Sequence, residues 1–305
     1  MTAPSLDAAY AACLRLAREH YENFPVASHL IPGRMRPHIA AIYAFARTAD
    51  DIADEPGMPD DERLRRLDEW GARLDQSVSG ASEPSGDEPA TSIFAALSNT
   101  LRVCHLPVSL FHDLLSAFRQ DVVRKRYATW EEVLDYCRRS ANPVGRLVLG
   151  VAGRLTPALG ARSDDVCTAL QLANFWQDIG RDWQNGRLYV PESARLQGGA
   201  READLDAPQL TVEWKRVIAD MVQRTRALFE SGRPVCDGVD GRLRWELRLT
   251  WLGGSRILDR IEAADYDVVR SRPTLGAADA PLLIWRAATW RAATVRPSSR
   301  LTADS

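Results

Sequence analysis

Apolar residues recur at spacings of three and four along almost the whole sequence, which is the repeat of amphipathic α-helices. In the first such stretch one helical face carries Leu6, Tyr10, Cys13, Ala17, His20 and Phe24. The repeat returns at about 36–54, 62–78, 93–104, 108–125, 130–151, 164–183, 212–231 and 242–264. We find no convincing alternation of the kind that half-buried strands show, and no Asn-Gly hairpin between β-branched runs. The pattern predicts an all-α protein.

The breaks between these stretches are short and contain Pro, Gly or Ser. The most loop-like interior segments are Ser79 to Thr91 and Leu196 to Pro208, but helices of similar composition continue on both sides of each. A chain of 305 residues with 45% hydrophobic residues can bury one large core or two modest ones. We expect one helical domain over residues 1–295, followed by a flexible C-terminal tail over 296–305.

Composition excludes several classes of function. The net charge of −2 supplies no basic field for a polyanion, so we expect no nucleic-acid partner. A P-loop needs a Gly-Lys step, and neither Lys125 nor Lys215 follows a glycine. The five cysteines are odd in number and lack metal-ligand spacing, which favours reduced thiols over zinc or disulfides. No secretory signal and no apolar run of about 18 residues is present, so a cytoplasmic chain is expected, with peripheral membrane contact left open.

Two helical stretches each carry a polar stripe that ends in a pair of aspartates. In the first, Tyr43, Arg47, Asp50 and Asp54 share one face, because residues three and four apart are neighbours on a helix. The other stripe, at steps of three, four and four, comprises Gln171, Asn174, Asp178 and Asp182. Asp51 points away from the first stripe and is not included in it.

Carboxylates at positions i and i+4 repel one another by a few tenths of a kcal/mol, so such pairs need compensation. Mg²⁺ prefers oxygen ligands and often binds through one or two carboxylates together with substrate phosphates. A single DxxxD pair is more often a solvated helix face. Two pairs, each within an apolar helix and each joined to Arg, Asn or Gln, favour a shared site for a metal-bound diphosphate.

The segments around these stripes resemble the paired aspartate signatures of the squalene/phytoene synthase family. The resemblance rests on YAFARTADDIAD (Tyr43 to Asp54), LQLANFWQDIGRDWQNGRLYVP (Leu170 to Pro191), YCRRSANPVG (Tyr136 to Gly145) and GGSRILDRIEAADYDVVRSRP (Gly253 to Pro273). It implies a single-domain isoprenoid-synthase-type helical bundle around a central cavity, in which the two motifs bind Mg²⁺ and diphosphate. Within the family, residues 20–56 are most similar to the hydroxysqualene synthase branch of bacterial hopanoid biosynthesis.

The resemblance also implies roles for individual residues. The metal-bridging carboxylates would be Asp50, Asp54, Asp178 and Asp182. The residues that contact the diphosphate or line its site would be His20, Asn23, Arg47, Gln171, Asn174, Arg187 and Arg272. Tyr43, Arg139 and Asn174 are assigned to catalysis. His20 also continues the apolar face of its helix, so a structural role remains open for it.

Two departures from the family pattern bear on the reaction. Relatives that condense two farnesyl diphosphates usually carry a tyrosine where this chain has Arg139, and often an arginine where it has Gln177. We therefore expect presqualene diphosphate, supplied by a partner presqualene diphosphate synthase, to be ionised, rearranged and captured by water to give hydroxysqualene. NADPH is not expected, since no strand followed by GxGxxG is present. The alternatives are a squalene, dehydrosqualene or phytoene synthase that condenses two prenyl diphosphates, and a catalytically silent helical scaffold.

A carbocation would need an apolar pocket that excludes stray water. The candidate wall residues, for most of which ordinary core packing is the stronger reading, are Phe24, Phe45, Val144, Leu147, Leu170 and Phe175. Asn142-Pro143 lies inside one long helical pattern, where proline removes a backbone donor. It predicts either a kink that widens the cavity beside Arg139 or a boundary between two helices.

Overall fold

The computed structural model describes residues 5–19, 30–79, 88–270 and 272–291. These residues form twelve α-helices: α1 (Leu6–Glu19), α2 (Arg36–Asp54), α3 (Asp60–Ser79), α4 (Glu88–Cys104), α5 (Ser109–Val123), α6 (Trp130–Ser140), α7 (Asn142–Val151), α8 (Pro157–Gln184), α9 (Glu192–Gly198), α10 (Val212–Gly232), α11 (Gly241–Ala263) and α12 (Ala280–Ala288). Across the described ranges no strand is present, and the β-pairing is limited to one isolated bridge between Arg126 and Leu188. The all-α prediction is confirmed.

The helices begin and end close to the predicted positions for most stretches, with four differences. Helix α4 begins at Glu88 rather than near 93, inside the segment expected to be a loop at 79–91. The stretch at 130–151 is two helices, and α8 begins at Pro157 rather than near 164. The short helices α9 and α12 were not anticipated, and α9 ends inside the segment expected to be a loop at 196–208. These two are seven and nine residues long, which is too short for a clear periodic signal.

A boundary, rather than a kink inside a continuous helix, separates α6 from α7. Ala141, at φ −115° and ψ −44°, closes α6 by donating its backbone N–H to the Cys137 carbonyl at 2.9 Å. Pro143 then lies in the first turn of α7, where its missing N–H removes no helical hydrogen bond. The buried Asn142 side chain accepts a hydrogen bond from Thr168 Oγ1 at 2.9 Å, which ties this boundary to α8.

The two acidic motifs lie on helices that occupy different parts of the core. The 28-residue helix α8 packs against α10, α7 and α11. Its indole donor at Trp176 is satisfied within the core by Thr225 Oγ1 of α10 at 2.8 Å. Helix α2 packs against α1, α4 and α5, and its buried Phe45 contacts the rings of Trp70, Phe94 and Phe111. Helices α5, α6 and α7 bridge the two groups.

A cavity of about 410 Å³ lies between α2, α7, α8 and α11. Most of its wall is apolar, with Met35, Val144, Val148, Leu170 and Leu247 among the contributors. Gln171 and Asn174 line it from α8, on the side that leads to Asp178 and Asp182. The expected central cavity is therefore present in the bundle.

Within the described part of the chain, no helix combines the length and the apolar character needed to cross a bilayer. All five cysteines are unpaired thiols. The predicted tail at 296–305 lies outside the described residues, so its flexibility stays a prediction.

Candidate active site

The first acidic motif lies at the end of α2. The Arg47 guanidinium is 3.2 Å from Asp50 Oδ2 and 2.6 Å from Asp51 Oδ1, so one arginine is shared by two carboxylates. Burial, followed by the charge of Asp54, raises the pKa of Asp50 to about 6. The motif thus holds more negative charge than its own arginine neutralises, which favours a cationic ligand.

The second acidic motif lies near the end of α8. Asp178 is held by Arg272, whose Nε and Nη2 both contact the carboxylate, the latter at 3.0 Å. Burial, followed by the charge of Asp178, raises the pKa of Asp182 to about 7. A paired and a strongly perturbed carboxylate therefore lie one helical turn apart here as well.

Arg187 joins the two motifs. Helix α8 ends at Gln184, and Gly186 adopts a left-handed φ of +72° that a residue with a side chain would rarely adopt. This turn lets the Arg187 N–H donate to the Asp182 carbonyl at 2.7 Å and reverses the chain. The Arg187 side chain then reaches α2, where Nη2 lies 2.6 Å from Asp54 Oδ1.

The charge of Arg187 also acts on carboxylates of both motifs. Burial raises the pKa values of Asp50, Asp121 and Asp182, and the nearby Arg187 guanidinium lowers each of them in part. One cation therefore influences side chains from α2, α5 and α8 at once. The structure thus brings Asp50, Asp54, Asp182 and Arg187 together at one site, and Asp178 lies one turn from Asp182.

A further carboxylate, Asp121 of α5, belongs to this site, and the sequence did not predict it. Its Oδ2 accepts a hydrogen bond from the Tyr136 hydroxyl at 2.6 Å, whereas its Oδ1 is buried without a hydrogen-bond partner. Burial, together with the charges of Asp54 and Asp50, raises its pKa to about 7, although the Tyr136 hydrogen bond and the Arg187 charge lower it in part. Asp121 has no second aspartate four residues away on α5, so no local pattern distinguished it. Tyr136 stood inside the YC segment but was not selected.

Aromatic rings pack beside the carboxylates. Phe175 stacks on Tyr189 with ring centroids 3.8 Å apart, and Tyr136 lies about 6 Å from each of these rings. Burial raises the pKa of Tyr136 well above its ordinary value, so its hydroxyl stays protonated. Aromatic faces attract cations, so this cluster can stabilise positive charge next to an anionic site.

The structure places three further predicted site residues beside the motifs or in the cavity wall. Gln171 and Asn174 line the cavity. Tyr43 is 9% exposed, and burial raises the pKa of its hydroxyl next to Arg47, Asp51 and Asp50. His20 and Asn23 lie outside the described residues.

Among the candidate wall residues, Val144 and Leu170 line the cavity. Phe45 and Leu147 are fully buried in the core, and Phe175 belongs to the aromatic cluster beside the carboxylates. Phe24 lies outside the described residues. Core packing therefore accounts for Phe45 and Leu147.

The two positions that depart from the family pattern are occupied by other contacts. Arg139 binds Asp135, Ser116 Oγ at 2.9 Å and Gln120, and its side chain is 13% exposed. Gln177 is buried and donates to the Pro273 carbonyl at 2.5 Å. Neither side chain contacts the aspartates of the two motifs, and the catalytic role of Arg139 stays a prediction.

The donor set fits a hard divalent cation. It offers only oxygen ligands, three of its carboxylates have raised pKa values, and Asp121 Oδ1 has no other partner. Within the described ranges no three His, Cys, Asp or Glu side chains converge closely enough to hold a metal by themselves. A cation here would take further ligands from a phosphate, which is the common way in which proteins bind Mg²⁺.

Comparison with known proteins identifies the family. The profile of squalene/phytoene synthase matches residues 17–279. The chain belongs to the squalene/phytoene synthase family. It is 36% identical over 251 residues to a hydroxysqualene synthase of Sinorhizobium fredii, covering 82% of each chain. It is 38% identical over 224 residues to the hydroxysqualene synthase of Zymomonas mobilis, covering 72% of each.

Solved structures of the family have the same fold. A squalene synthase from Alicyclobacillus acidocaldarius superposes with a TM-score of 0.79 at 42% identity, covering 86% of this chain and 96% of that one. A dehydrosqualene synthase superposes with a TM-score of 0.82 over 93% of this chain and 97% of that one, and at 20% identity it shows the fold alone. The protein is therefore a prenyltransferase-type enzyme with the family's all-α architecture.

Proposed function

We propose that the protein is a hydroxysqualene synthase, which ionises presqualene diphosphate and captures the rearranged carbocation with water. One observation supports this above all: two acidic motifs joined by Arg187 adjoin an apolar cavity through Gln171 and Asn174. A prenyl diphosphate has the matching shape, with a polyanionic head and a hydrocarbon body. The relatives named hydroxysqualene synthase indicate which member of that class is used.

The anionic head would bind among the arginines. Arg47, Arg187 and Arg272 already contact motif carboxylates, and each can turn its fork of N–H donors toward phosphate oxygens. When bound, Mg²⁺ held by Asp50, Asp54, Asp178 and Asp182 would neutralise charge on the leaving diphosphate. Tyr43 and Asn174 would contact the carbon that loses the diphosphate.

The atoms and electrons of the proposed reaction balance without a reductant or an oxidant. The carbon–oxygen bond to diphosphate breaks with its electron pair leaving on the diphosphate, and the cyclopropylcarbinyl cation rearranges. A water oxygen then bonds to the cation and loses one proton, so that the products are hydroxysqualene, diphosphate and a proton. The aromatic rings of Phe175, Tyr136 and Tyr189 can stabilise the cation, and the apolar wall limits premature capture by water.

The two departures from the family pattern favour ionisation of presqualene diphosphate over condensation of two farnesyl diphosphates. Gln177 is fixed to Pro273 in the core, and Arg139 is engaged with Asp135 on its own helix. The tyrosine and the arginine of the condensing relatives are therefore replaced by side chains that are held by other contacts.

Product analysis tests the proposal. The enzyme is incubated in Mg²⁺ buffer with presqualene diphosphate or with farnesyl diphosphate, each with and without NADPH, in ¹⁸O-labelled water. We expect a C30 alcohol carrying ¹⁸O from presqualene diphosphate alone, independent of NADPH. A C30 product from farnesyl diphosphate alone would identify a complete head-to-head synthase instead.

The origin and the destination of the reactants support two associations. Presqualene diphosphate has to come from an enzyme that condenses two farnesyl diphosphates, so we propose a functional partnership with a presqualene diphosphate synthase.

The product is a C30 lipid, and Ile284 and Trp285 of α12 are 55% and 62% exposed. We propose that this helix contacts a membrane surface, where tryptophan is favoured. Cosedimentation with liposomes should decrease when both residues are replaced by serine.

A further inference from the structure

A buried carboxylate lines the cavity at a place that the diphosphate chemistry does not use. Glu246 of α11 is 8% exposed and contributes to the cavity wall together with Leu243, Leu247 and Thr250 of the same helix. These four positions are spaced three and four apart, so they form one face of α11. A glutamate is rarely placed against a hydrocarbon-lined space, because burying its charge is costly. Its place in the cavity wall puts a polar side chain beside the hydrocarbon-lined space.

The contacts between α11 and α8 fix that position. A Cβ atom added at Gly254 would lie 2.7 Å from Leu170 Cδ2, and one added at Gly180 would lie 3.0 Å from Val269. Gly238, just before α11, packs against Leu159. These contacts advance in the same order along α8 and along residues 238–269, which include α11. Helices α8 and α11 therefore run in the same direction. Glu246, eight residues before Gly254, lies toward the end of the cavity away from the aspartates, one turn short of Leu243.

Helix geometry gives the length of the space between the two ends. Asn174 lies four residues beyond Leu170 on α8, and Glu246 lies eight residues before Gly254 on α11. At a rise of 1.5 Å per residue, the axial separation of Asn174 and Glu246 is about 18 Å. A terminal methyl group approaches other heavy atoms to about 3.5–4 Å, so about 14 Å remains for an extended chain.

This length distinguishes two classes of prenyl chain. An extended backbone of three bonds spans 3.3–3.6 Å, so the 11 main-chain bonds of a farnesyl chain span about 13 Å. The 15 main-chain bonds of a geranylgeranyl chain span about 17 Å by the same measure. The shorter chain fits the available space, and the longer one would have to displace the Glu246 side chain.

We propose that Glu246 is the specificity-determining residue that limits the prenyl arm to the length derived from a C15 precursor. In this proposal the side chain limits the space near that end of the cavity, because it presents a polar surface that a hydrocarbon terminus does not enter. The inference rests on the proposed function only in assuming that a prenyl diphosphate binds with its head at the aspartates. It assigns Glu246 no role in ionisation.

A binding experiment tests this inference separately from turnover. Dissociation constants of the non-hydrolysable farnesyl and geranylgeranyl thiolodiphosphates are measured in Mg²⁺ buffer by titration calorimetry. The proteins compared are the full chain, Glu246→Ala, Glu246→Gln and the control Glu230→Ala, which removes an exposed glutamate of α10. Diphosphate release from presqualene diphosphate is recorded for each protein, together with its circular dichroism spectrum.

We expect the unaltered protein and Glu230→Ala to bind the geranylgeranyl compound at least about tenfold more weakly than the farnesyl compound, since overfilling a packed space is unfavourable. Glu246→Ala should reduce that ratio to about threefold or less, whereas Glu246→Gln, which keeps the side-chain length, should retain it. An unchanged ratio in folded Glu246→Ala would overturn the inference. If that variant does not fold, Leu247→Ala, which enlarges the same end of the cavity, takes its place under the same criterion.

The two readouts separate the two proposals. Loss of chain-length discrimination in Glu246→Ala would support the role of Glu246. If the unaltered protein at the same time released no diphosphate from presqualene diphosphate, the proposed function would be contradicted. Diphosphate release with an unchanged binding ratio would support the proposed function and contradict the role of Glu246.

Discussion

The two acidic motifs have the same spacing but obtain their compensating charge in different ways. In each, one aspartate is paired with an arginine from a distant part of the chain: Asp54 with Arg187, and Asp178 with Arg272. The other aspartate of each pair has a raised pKa because it is buried beside its neighbour. This common arrangement leaves one carboxylate per motif without full compensation.

The difference lies in what each helix supplies for itself. Helix α2 carries Arg47 one turn before Asp50, and its motif faces the additional carboxylate Asp121. On α8 the stripe position before Asp178 is Asn174, which carries no charge, and Gln177 turns into the core toward Pro273. The second motif therefore depends on Arg272, 94 residues away, for its ion pair. The comparison shows that equal motif spacing does not imply equal electrostatic environments.

Removal of a carboxylate from the second motif should have the largest effect. Asp178→Asn should lower kcat for diphosphate release by on the order of 10²–10³, because it removes a group on which charge stabilisation of the leaving diphosphate depends. The measurement is steady-state diphosphate release with presqualene diphosphate in Mg²⁺ buffer.

The matched control is Asp165→Asn, which alters an aspartate of the same helix that contacts Ser231 and Arg162 outside the site. The control should retain activity, and both variants should keep a helical circular dichroism spectrum. An unchanged rate in folded Asp178→Asn would favour the scaffold alternative over an enzyme.

Replacement of each of the two distant arginines should weaken ligand binding to a different extent. Arg187 acts on carboxylates from α2, α5 and α8, whereas the ion pair of Arg272 is with Asp178. Arg187→Ala should therefore weaken binding of the farnesyl thiolodiphosphate by roughly tenfold more than Arg272→Ala does, since each charged hydrogen bond contributes about 1.5–3 kcal/mol. Calorimetric titration in Mg²⁺ measures both values. Equal losses would show that Arg187 does not serve both motifs.

The smallest effect concerns pH and stability. The folded-state pKa values of Asp50, Asp121 and Asp182 are raised to about 6, 7 and 7. A carboxyl group whose pKa is raised by folding destabilises the fold when ionised, so this destabilisation is relieved as pH falls from 8 through 6. We expect the melting temperature, measured in EDTA, to rise as the pH is lowered from 8 to 6.

Asp121→Asn should flatten this pH dependence and raise the melting temperature at pH 8, because it removes a charge beside Asp50 and Asp54. The same change in an exposed residue, Asp61→Asn on α3, should leave the slope unaltered. A melting temperature that falls on acidification from pH 8 to 6 would contradict the assignment of raised pKa values.

The helices and the helical faces could be predicted from the sequence, because both follow from the local spacing of apolar residues. Helix α2 spans Arg36–Asp54, the range that its apolar repeat indicated, and both aspartate pairs share a helical face as expected. The first two turns of α8 were missed, because Pro157 opens the helix before the clear apolar repeat begins. Pro157 lies in the first turn, where proline is tolerated, and Thr156 caps it.

The contribution of Asp121 and Tyr136 could not be predicted in the same way. Each is one polar residue on an otherwise ordinary amphipathic helix, and their partnership spans 15 residues and a chain reversal. Arg187 was assigned through resemblance, but its ion pair with Asp54 depends on the Gly186 turn at the end of α8. Pairings between helices that are distant in sequence leave no periodic signal, so they require the three-dimensional structure.

Helix α8 carries Ser163 and Cys167 beside one end of the cavity and Asp178 and Asp182 at the other, without interruption. An insertion of four residues between these positions would separate the ends by a further 6 Å or so and rotate them by about 40° relative to one another. Seven residues would restore the rotation to within about 20° but add roughly 10 Å. Evolution of new chain lengths on this scaffold is therefore restricted to substitutions along the cavity wall, because insertions in the continuous helix misalign the head-group site with the hydrocarbon space.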